Sequence, residues 1–563
     1  MILKEKVSAD LGRDSVVEVA RTHLYWLFGE GAAVETNLLQ GDVLPRVNVT
    51  LRTNGAIRGS MSGIGDSFRA QILDAVYRAS RDSRFSGSIV RADLKNVSIE
   101  VWLQLSAELI PLEERESANI IQMGRDGLEV ESGTAFAYYK PSVALTSHFT
   151  TPQEMFSALC KKANLPDDAW KGANCQLRRS SWVHFCETEI GKTIEFRALR
   201  TSRYLEITKD TMVDWAEHGV SYLKENQYSD GSFCYQYRPF QNSAKRGPTN
   251  PVRASGCAYA IAAAASSSHL VSNQGTTRSA MQAVTAILSR QKPLGDGGIF
   301  ITDNLAGPVG GKLGTTALLL LALMTPDQHQ TYEQEIGKLI TAIKSAQSDN
   351  GLFECSFGEG DKSDSQINFF PGQALLALVR RTEQGDMSCR EYFQRAFVPY
   401  REHFRRYPAT AFVGWQADAW SRAALLDTNN EYAEFVFDQI DWLLQFQIHD
   451  DTDSMISGGF SWNGKPPNYS SIVYTEAIAR GADLAYKLGE PRWRRYKEAF
   501  RAGVQFCSNL RLTEEQSIFF PHPSRAIGGM ATSLSNFEIR SDVVQHSITL
   551  ALSVLERPVL WDS

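Results

Sequence analysis

A short phrase recurs along the last two-thirds of the chain: a glutamine, a few residues, a glycine, one residue and a phenylalanine. It is clearest from Gln227 to Phe233 and from Gln347 to Phe353, and looser copies begin at Gln291, Gln447 and Gln505. The copies start about 60 residues apart, except across one interval where a copy is degenerate. A fixed period of this size predicts a repeat architecture in which each unit is one supersecondary element.

Each phrase lies between two helical patterns. Before the first copy, Val213, Ala216, Val220 and Leu223 share one helix face. After the phrases come helices that are apolar or rich in small residues on more than one face, as expected of helices buried on both sides. Six such helices are predicted, over residues 255–265, 313–324, 371–379, 414–425, 471–486 and 541–554.

Six outer–inner helix pairs closed in a ring form an (α/α)6 toroid, and this fold is predicted for residues 205–563. The segment resembles the toroid superfamily of terpene cyclases, prenyltransferases, glycoside hydrolases, polysaccharide lyases and sugar epimerases. We interpret the repeat itself as a structural element of the fold. Glycine permits the turn between helices, phenylalanine packs between neighbouring pairs, and glutamine bonds to exposed backbone groups.

A chain of 563 residues is too long for one ordinary core. Residues 1–195 combine strand and helix patterns. Apolar and polar residues alternate over 47–52 and 97–103, as in strands, and apolar residues recur at helical spacing over 68–79. Residues 56–63 resemble the L-R-G-C-I-G signature of the AMMECR family, named for the AMME-syndrome candidate gene product. The family's D-P-R-F, G-x-H-G-L and L-C-x-K-A-G-L segments are similar to residues 81–85, 124–128 and 159–166.

This resemblance implies a multidomain chain, with an α+β AMMECR-like domain followed by an all-α (α/α)6 toroid. It also implies binding or enzymatic work around the loop that contains Arg58. Ser60 stands where the family has cysteine, and a serine without an activating base is a poor nucleophile, so thiol chemistry is not expected. Arg58 either pins a tight loop or helps to bind a ligand.

The toroid predicts where chemistry should be sought. Every inner helix begins just after a repeat loop, so six helix N-termini meet at one mouth. Their unpaired N–H groups and dipoles favour an anionic ligand in a concave site. The predicted substrate-binding residues are Arg253, Arg540, Gln545, Trp415 and Trp420, together with Arg58 of the first domain.

The densest candidate group opens the last inner helix. Asp542 and His546 are four residues apart, so a carboxylate there is placed to orient an imidazole for acid–base work. Alternatively, both residues are structural: Asp542 is an acid favoured by the helix dipole in the first turn, and His546 is a histidine of the core. Glu476 and Asp418 are expected to face the same cavity, and two opposed carboxylates would serve a glycosidase.

The residues expected at the same end of the ring also suit a different reaction. Tyr474 with Arg253 suits a uronate epimerase or lyase, in which a proton is removed beside a carboxylate. The run from His449 to Asp453 is similar to the acidic motifs of terpene cyclases, but its order matches neither D-x-D-D nor D-D-x-x-D, and a solvated turn is favoured. No cofactor and no metal are predicted.

Charge and composition limit the classes of partner that are expected for this protein. The net charge of -6 gives no general attraction to nucleic acid or to anionic membrane, and no apolar run is long enough to span a bilayer. The first residues lack the apolar core of a signal peptide, and the eight cysteines are scattered, as in reduced proteins. A cytoplasmic protein is therefore expected.

Three functions remain open from the sequence. The first is an enzyme that acts in the toroid on an anionic, carbohydrate-containing small molecule or polymer end, as an epimerase, lyase or hydrolase, with the first domain assisting. The second is an isoprenoid-diphosphate cyclase or transferase. The third is a non-catalytic scaffold that binds pathway partner proteins or peptides.

Overall fold

The alternating residues near the start of the chain form neighbouring antiparallel strands in the computed structural model. The structure describes residues 13–35, 42–85, 88–147, 149–201, 204–245, 250–271, 273–303, 309–359, 364–450 and 452–561. The strands of the first domain are β1 (Arg46–Thr53), β2 (Ala56–Ser62), β3 (Val97–Leu109), β4 (Gly127–Ser132), β5 (Ala135–Tyr139), β6 (Gln176–Glu189) and β7 (Lys192–Phe196). Its helices are α1 (Arg13–Leu27), α2 (Phe68–Ala79), α3 (Pro141–Thr146) and α4 (Pro152–Lys162).

These strands make one antiparallel sheet in the order β2-β1-β3-β6-β4-β5, and β7 pairs with the second half of β6. One face carries the apolar residues of the alternation, such as Val49 and Val101, and packs under α1 and α2. The opposite face is polar, yet it is also buried: Asn48, Thr50 and Glu100 are each at most 1% exposed. Since a buried polar group costs free energy unless it is bonded, other parts of the chain must cover and satisfy this face.

The second part of the chain is built from helices in two layers. The outer helices are α5 (Lys209–Glu225), α7 (Gln274–Leu288), α10 (Glu333–Ser345), α12 (Arg390–Arg406), α14 (Asn430–Leu444) and α16 (Trp493–Ser508). The inner helices are α6 (Pro251–Ala265), α8 (Leu313–Leu323), α11 (Phe370–Glu383), α13 (Thr410–Asp427), α15 (Ser470–Lys487) and α17 (Ser541–Leu555). A short helix, α9 (Pro326–His329), follows α8.

The inner helices close a ring. Each packs against the next in chain order, and α17 packs against α6. Every outer helix lies on an inner one, which gives six pairs among the residues that the structure describes. The predicted fold class, an α+β domain followed by an (α/α)6 toroid, is confirmed, and the fifth inner helix, predicted over residues 471–486, is observed at Ser470–Lys487.

Short strands decorate the loops of the ring. The strands β14 and β15 join β8 and β9 in one four-stranded sheet, which links the two ends of the ring beside α6 and α17. The remaining strands pair in two small ribbons. These strands are β8 (Gln236–Arg238), β9 (Ser243–Lys245), β10 (Gln291–Pro293), β11 (Ile299–Ile301), β12 (Gly310–Lys312), β13 (Ser356–Gly358), β14 (Ala531–Ser533) and β15 (Asn536–Arg540).

Three copies of the repeat share one hydrogen-bonding scheme. In each, the glutamine Nε2 donates to the carbonyl of the loop glycine and to a carbonyl of the next outer helix. That glycine has a positive φ, +85° at Gly351, which L-residues rarely adopt. The bonds are Gln227 to Gly231 (3.1 Å) and Ser279 (3.0 Å), Gln347 to Gly351 (2.9 Å) and Tyr392 (2.8 Å), and Gln447 to Gly458 (3.1 Å) and Ala499 (2.8 Å).

The other two copies diverge. Gln291 is exposed and lies in β10, whereas the Gln505 Oε1 accepts a hydrogen bond from the Leu205 backbone N–H at 2.8 Å, so it serves the segment that enters the ring. The architectural interpretation of the repeat is therefore confirmed for three of the five copies.

One hydrophobic cluster extends from the first domain into the ring, whereas two others lie within the first domain. Arg200 is fully buried and donates to the backbone carbonyls of Asn509 (2.7 Å) and Ser533 (2.9 Å) in the ring. Phe519, at the end of a 3-10 helix, packs against Phe196 with ring centroids 5.1 Å apart, and it covers part of the polar face of the sheet. Over the part of the chain that the structure describes, no helix is long and apolar enough to cross a bilayer.

Candidate functional site

The structure brings together three predicted residues from three inner helices. Glu476 lies in the second turn of α15 and His546 in the second turn of α17, and the His546 Nδ1 is 3.4 Å from the Glu476 Oε2. Both side chains are half-buried, at 17% and 15% exposure. The Trp415 ring of α13 lies 5.4 Å from the imidazole. A carboxylate, an imidazole and an indole thus lie together near the N-terminal ends of three inner helices.

Asp542 has different partners from those predicted. Its carboxylate accepts two bonds from Arg540, at 3.0 and 2.5 Å, and lies 3.1 Å from the Nε of Arg253. Two guanidinium groups attract a carboxylate more strongly than an imidazole does, because they are always charged and one of them binds in bidentate fashion. The prediction that Asp542 orients His546 is therefore wrong, and Glu476 takes that position.

The two arginines are held by aromatic residues. The Arg540 Nη1 donates to the Tyr469 hydroxyl at 3.0 Å, and the guanidinium carbon lies 4.7 Å from the centroid of that ring. Arg253 lies at the same distance from the Tyr235 ring. Tyr469 was not predicted, although it directly precedes α15 just as the predicted Arg540 directly precedes α17. That position before an inner helix is the signal that could have identified it.

Tyr474 is placed as a link between helices. Its hydroxyl donates to the Thr410 Oγ1 at 2.8 Å, its ring packs against Phe460, and 8% of the residue is exposed. Burial raises the pKa of Tyr474 above its ordinary value. The hydroxyl therefore joins α15 to the start of α13 and is a poor base near neutral pH.

Asp418 lies between arginines and does not face Glu476 as a second free carboxylate. It is 3.0 Å from the Nε of Arg422 and 3.2 Å from the Nη2 of Arg480, one turn further along α15 than Glu476. Burial alone would raise the pKa of Asp418, but Arg480 and Arg422 outweigh it and lower this pKa to about 2. Asp418 is thus a permanent counter-ion in the wall of the ring.

Trp420 faces the outer layer. It is completely buried and packs against Phe397 and Tyr432, of α12 and α14, with ring centroids 5.2 Å apart in both cases. Trp415 and Trp420 are five residues apart, about 140° around a helix, so only one of them can face the cavity. The prediction that Trp420 binds substrate is wrong, and Trp415 keeps that role as a hypothesis.

Gln545 is buried between α17 and α6. Gly256 makes room for it, since a Cβ there would lie 2.9 Å from the Gln545 Oε1. The Nε2 of Gln545, like that of Gln416 and the Oε1 of Gln373, has no hydrogen-bond partner within the described ranges. These amides come from three inner helices, and their unpartnered atoms are buried in the wall of the ring.

The acidic run forms a turn. The Asp450 Oδ1 accepts from the backbone N–H of Thr452 (2.8 Å) and of Asp453 (3.0 Å), and Asp453 binds Arg197 of the segment between the domains. Asp451 lies outside the described residues. Where the chain is described, no group of three His, Cys, Asp or Glu side chains is arranged to hold a metal ion.

In the first domain, Arg58 has a local role. Its Nη2 lies 3.4 Å from Asp93 and 3.5 Å from the Ser88 carbonyl, which pins the loop after α2 to strand β2. Ser60 is different, because its Oγ lies 3.2 Å from the Nζ of Lys140. No sequence signal connects the two residues, which are 80 positions apart.

The first domain is similar in sequence to known proteins. The sequence profile of the AMMECR1 family matches residues 31–184. A protein of Thermofilum pendens is 35% identical over 122 residues, which are 21% of this chain and 55% of that protein, so the match spans about half the length of that curated relative.

Solved structures of two carbohydrate-active enzymes resemble the ring at low identity. D-mannose isomerase is 14% identical, with 62% of this chain and 98% of that chain covered and a TM-score of 0.46. Cellobiose 2-epimerase from Bacillus thermoamylovorans is 11% identical, with 62% and 100% covered and a TM-score of 0.45. The evidence that the ring is closed is the packing of its own inner helices, independent of any similar structure.

Proposed function

We propose that this chain, in which residues 31–184 form an AMMECR1 domain and the following helices an (α/α)6 toroid, is an enzyme that moves protons on an anionic, carbohydrate-containing substrate at the toroid mouth. The observation that carries the proposal is the pair formed by Glu476 and His546, 3.4 Å apart and half-buried beside Trp415.

The pair has the composition of an acid–base unit. Histidine changes its charge near neutral pH, and a carboxylate at its Nδ1 fixes the tautomer and leaves the Nε2 free to take a proton. The indole of Trp415 provides an apolar face on which a sugar ring stacks. Removal of a proton from a sugar carbon and its return to either face is the chemistry of an epimerase, and loss of a leaving group from the same intermediate is that of a lyase.

The charges of the mouth favour an anionic substrate. The Arg253 Nε lies 3.1 Å from Asp542, and we infer that its other N–H groups bind a substrate carboxylate or phosphate. The N-termini of α6, α15 and α17 add positive potential at the same end of the ring. Buried Gln545 supplies an unpartnered amide N–H for a substrate oxygen.

Proton transfer is favoured over two-carboxylate hydrolysis. A glycosidase of that kind needs a second carboxyl group opposite Glu476. Asp418 is bound by Arg422 and Arg480, and Asp542 by Arg253 and Arg540. Neither offers the free carboxyl group that this mechanism requires.

The experiment is deuterium exchange into substrate. The full chain is incubated in D2O with a panel of uronic acids, sugar phosphates and oligosaccharide ends, and carbon-bound deuterium is read by mass spectrometry. We expect exchange into one class, reduced at least 100-fold in Glu476→Gln and His546→Ala. Exposed Glu498 on the outer helix α16 is the matched control, and Glu498→Gln should keep full activity.

Two results would contradict different parts of the proposal. Exchange that persists at full rate in both mouth variants would show that the site lies elsewhere. Cleavage of a glycosidic bond that yields neither carbon-bound deuterium nor an unsaturated product would point to a hydrolase in place of an epimerase or lyase.

A further inference from the structure

The polar face of the sheet in the first domain holds a second group of reactive side chains. Lys140 follows β5 and reaches across to β1 and β2, where its Nζ contacts the Thr50 Oγ1 at 2.6 Å, the Asn48 Oδ1 at 2.8 Å and the Ser60 Oγ at 3.2 Å. Asn48 and Thr50 are fully buried, whereas Lys140 and Ser60 are half-buried. We call these four residues the Lys140 cluster.

We propose that Ser60 and Lys140 are a nucleophile and its general base, and that the AMMECR1 domain has an acyl-transfer or esterase activity of its own. This activity is independent of the toroid mouth. A neutral amine has two N–H donors and one lone pair. The Asn48 Oδ1 accepts only, and the Thr50 Oγ1 lies 2.6 Å from the Nζ, so these two atoms can take both donors. The Ser60 Oγ also lies 2.9 Å from the Thr50 Oγ1 and 3.3 Å from the Asn48 Oδ1, so its proton is shared within the cluster and passes to the Nζ lone pair when Ser60 attacks.

The surroundings keep the amine close to neutral. Burial lowers the pKa of Lys140 to about 7, and although Glu100 acts in the opposite direction, Arg52 and other cations add to the decrease. An amine with this pKa is an effective base at physiological pH, and an adjacent base is what converts a serine into a nucleophile. The charged and titratable groups around the amine are Arg52, Glu100 and His184 on the sheet, Arg84 with its partner Asp82, Lys162 on α4, and Tyr138.

The charges indicate the class of substrate. Arg84 donates to the Ser60 carbonyl oxygen at 2.6 Å with more than half of its side chain exposed, and Lys162 is exposed on α4. A cavity of about 730 Å³ is lined by Trp102, whose ring lies 5.3 Å from the Lys140 Nζ, and by Pro141, which follows Lys140, but by none of the four cluster residues themselves. An ester or thioester with a negatively charged group fits this setting.

The reaction balances without a cofactor. The Ser60 Oγ attacks the acyl carbon, the new C–O bond forms, and the hydroxyl proton passes to the Lys140 Nζ. The adduct then expels its alcohol or thiol, which takes that proton. Water cleaves the acyl-serine in the same way, releases the carboxylic acid and restores Ser60.

The test is covalent labelling of the full chain with a fluorophosphonate, followed by mass spectrometry. We expect an adduct on Ser60 that is absent in Ser60→Ala and retained in Ser62→Ala, a matched serine two residues along β2 whose hydroxyl contacts the Tyr138 hydroxyl at 2.7 Å. Because only the neutral amine accepts a proton, the labelling rate should rise through pH 7 and level off near pH 8. Lys140→Arg should remove this step and lower the rate at pH 8 by at least 100-fold.

A second variant separates loss of the fold from loss of chemistry. Ser60→Cys should be alkylated by iodoacetamide faster than the native cysteines, which are buried except for half-buried Cys355. Absence of the Ser60 adduct at pH 8.5, an unchanged rate in Lys140→Arg, or a Ser60→Cys thiol closed to alkylation would each overturn the proposal. Glu476→Gln should label normally, so failure of the toroid proposal leaves this one standing.

Discussion

The substitution Gln447→Ala tests whether the repeated glutamine holds the ring together. The Gln447 Nε2 donates to the Gly458 carbonyl of its own loop at 3.1 Å and to the Ala499 carbonyl of α16 at 2.8 Å, and both bonds are buried. The loop leads into α15, where the Ser471 Oγ accepts from the Phe460 N–H at 3.1 Å. Loss of Gln447 therefore loosens the loop that precedes Glu476.

The expected size follows from the bonds. Each buried amide–carbonyl bond contributes about 1–1.5 kcal/mol net, so removal of both should lower the local stability of the loop by about 2–3 kcal/mol. Hydrogen exchange reports such local opening directly, because 1.4 kcal/mol corresponds to a factor of ten. The amides of Ile448 and Gly458, which bond to carbonyls within the loop, should exchange about 30- to 150-fold faster.

The measurement is exchange mass spectrometry of peptides that cover this loop. Gln291→Ala is the matched control, because Gln291 occupies the same place in the repeat but is exposed, and its loop should exchange as in the unaltered chain. If Gln447→Ala leaves the exchange unchanged, or if Gln291→Ala accelerates it equally in its own loop, the architectural account of the repeat is refuted.

Three further perturbations test other contacts. The pKa of His218 is raised to about 9, chiefly by its hydrogen bond with Asp214. The stability that His218 contributes to the fold is therefore complete below pH 6.5 and lost as the pH rises through 9. Thermal unfolding should show this loss, and His218→Gln should abolish it. Asp418→Asn leaves Arg480 without its counter-ion and should lower the unfolding temperature, while the pH profile of turnover keeps its shape. Arg200→Met leaves buried carbonyls unpaired at a cost of about 2–4 kcal/mol and should speed proteolysis between the domains, which an unchanged digestion pattern would contradict.

Much of the fold follows from local patterns. Apolar residues at helical spacing locate the inner helices to within a few residues, as Ser541–Leu555 shows against the predicted 541–554. The glycine with positive φ and the glutamine that follows an outer helix act within a few residues of each other, so their role is visible in the sequence. The same holds for the AMMECR-like segments, which are short and ordered along the chain.

The site was predicted only in part. The beginnings of the inner helices directed attention to Glu476, His546 and Trp415, which the structure brings together. Their pairing was not predictable, since Asp542 lies one turn from His546 in the sequence and yet binds Arg253, almost 300 positions away. Trp420 shows the same limit, because both faces of its helix are buried and only the packing tells which one meets the cavity.

The sequence by itself determined the period of the repeat, the six helix pairs and the end of the ring where polar groups gather. These properties depend on the spacing of residues along one helix or loop. The tertiary structure alone decided which distant charges join these groups: Asp542 also binds Arg253 of α6, and Asp418 also binds Arg480 of α15, because a carboxylate attracts the cations that packing brings within reach. Lys140 beside Ser60 is the clearest case: the fold brings a residue that follows β5 next to one in β2, although these strands stand at opposite ends of the strand order.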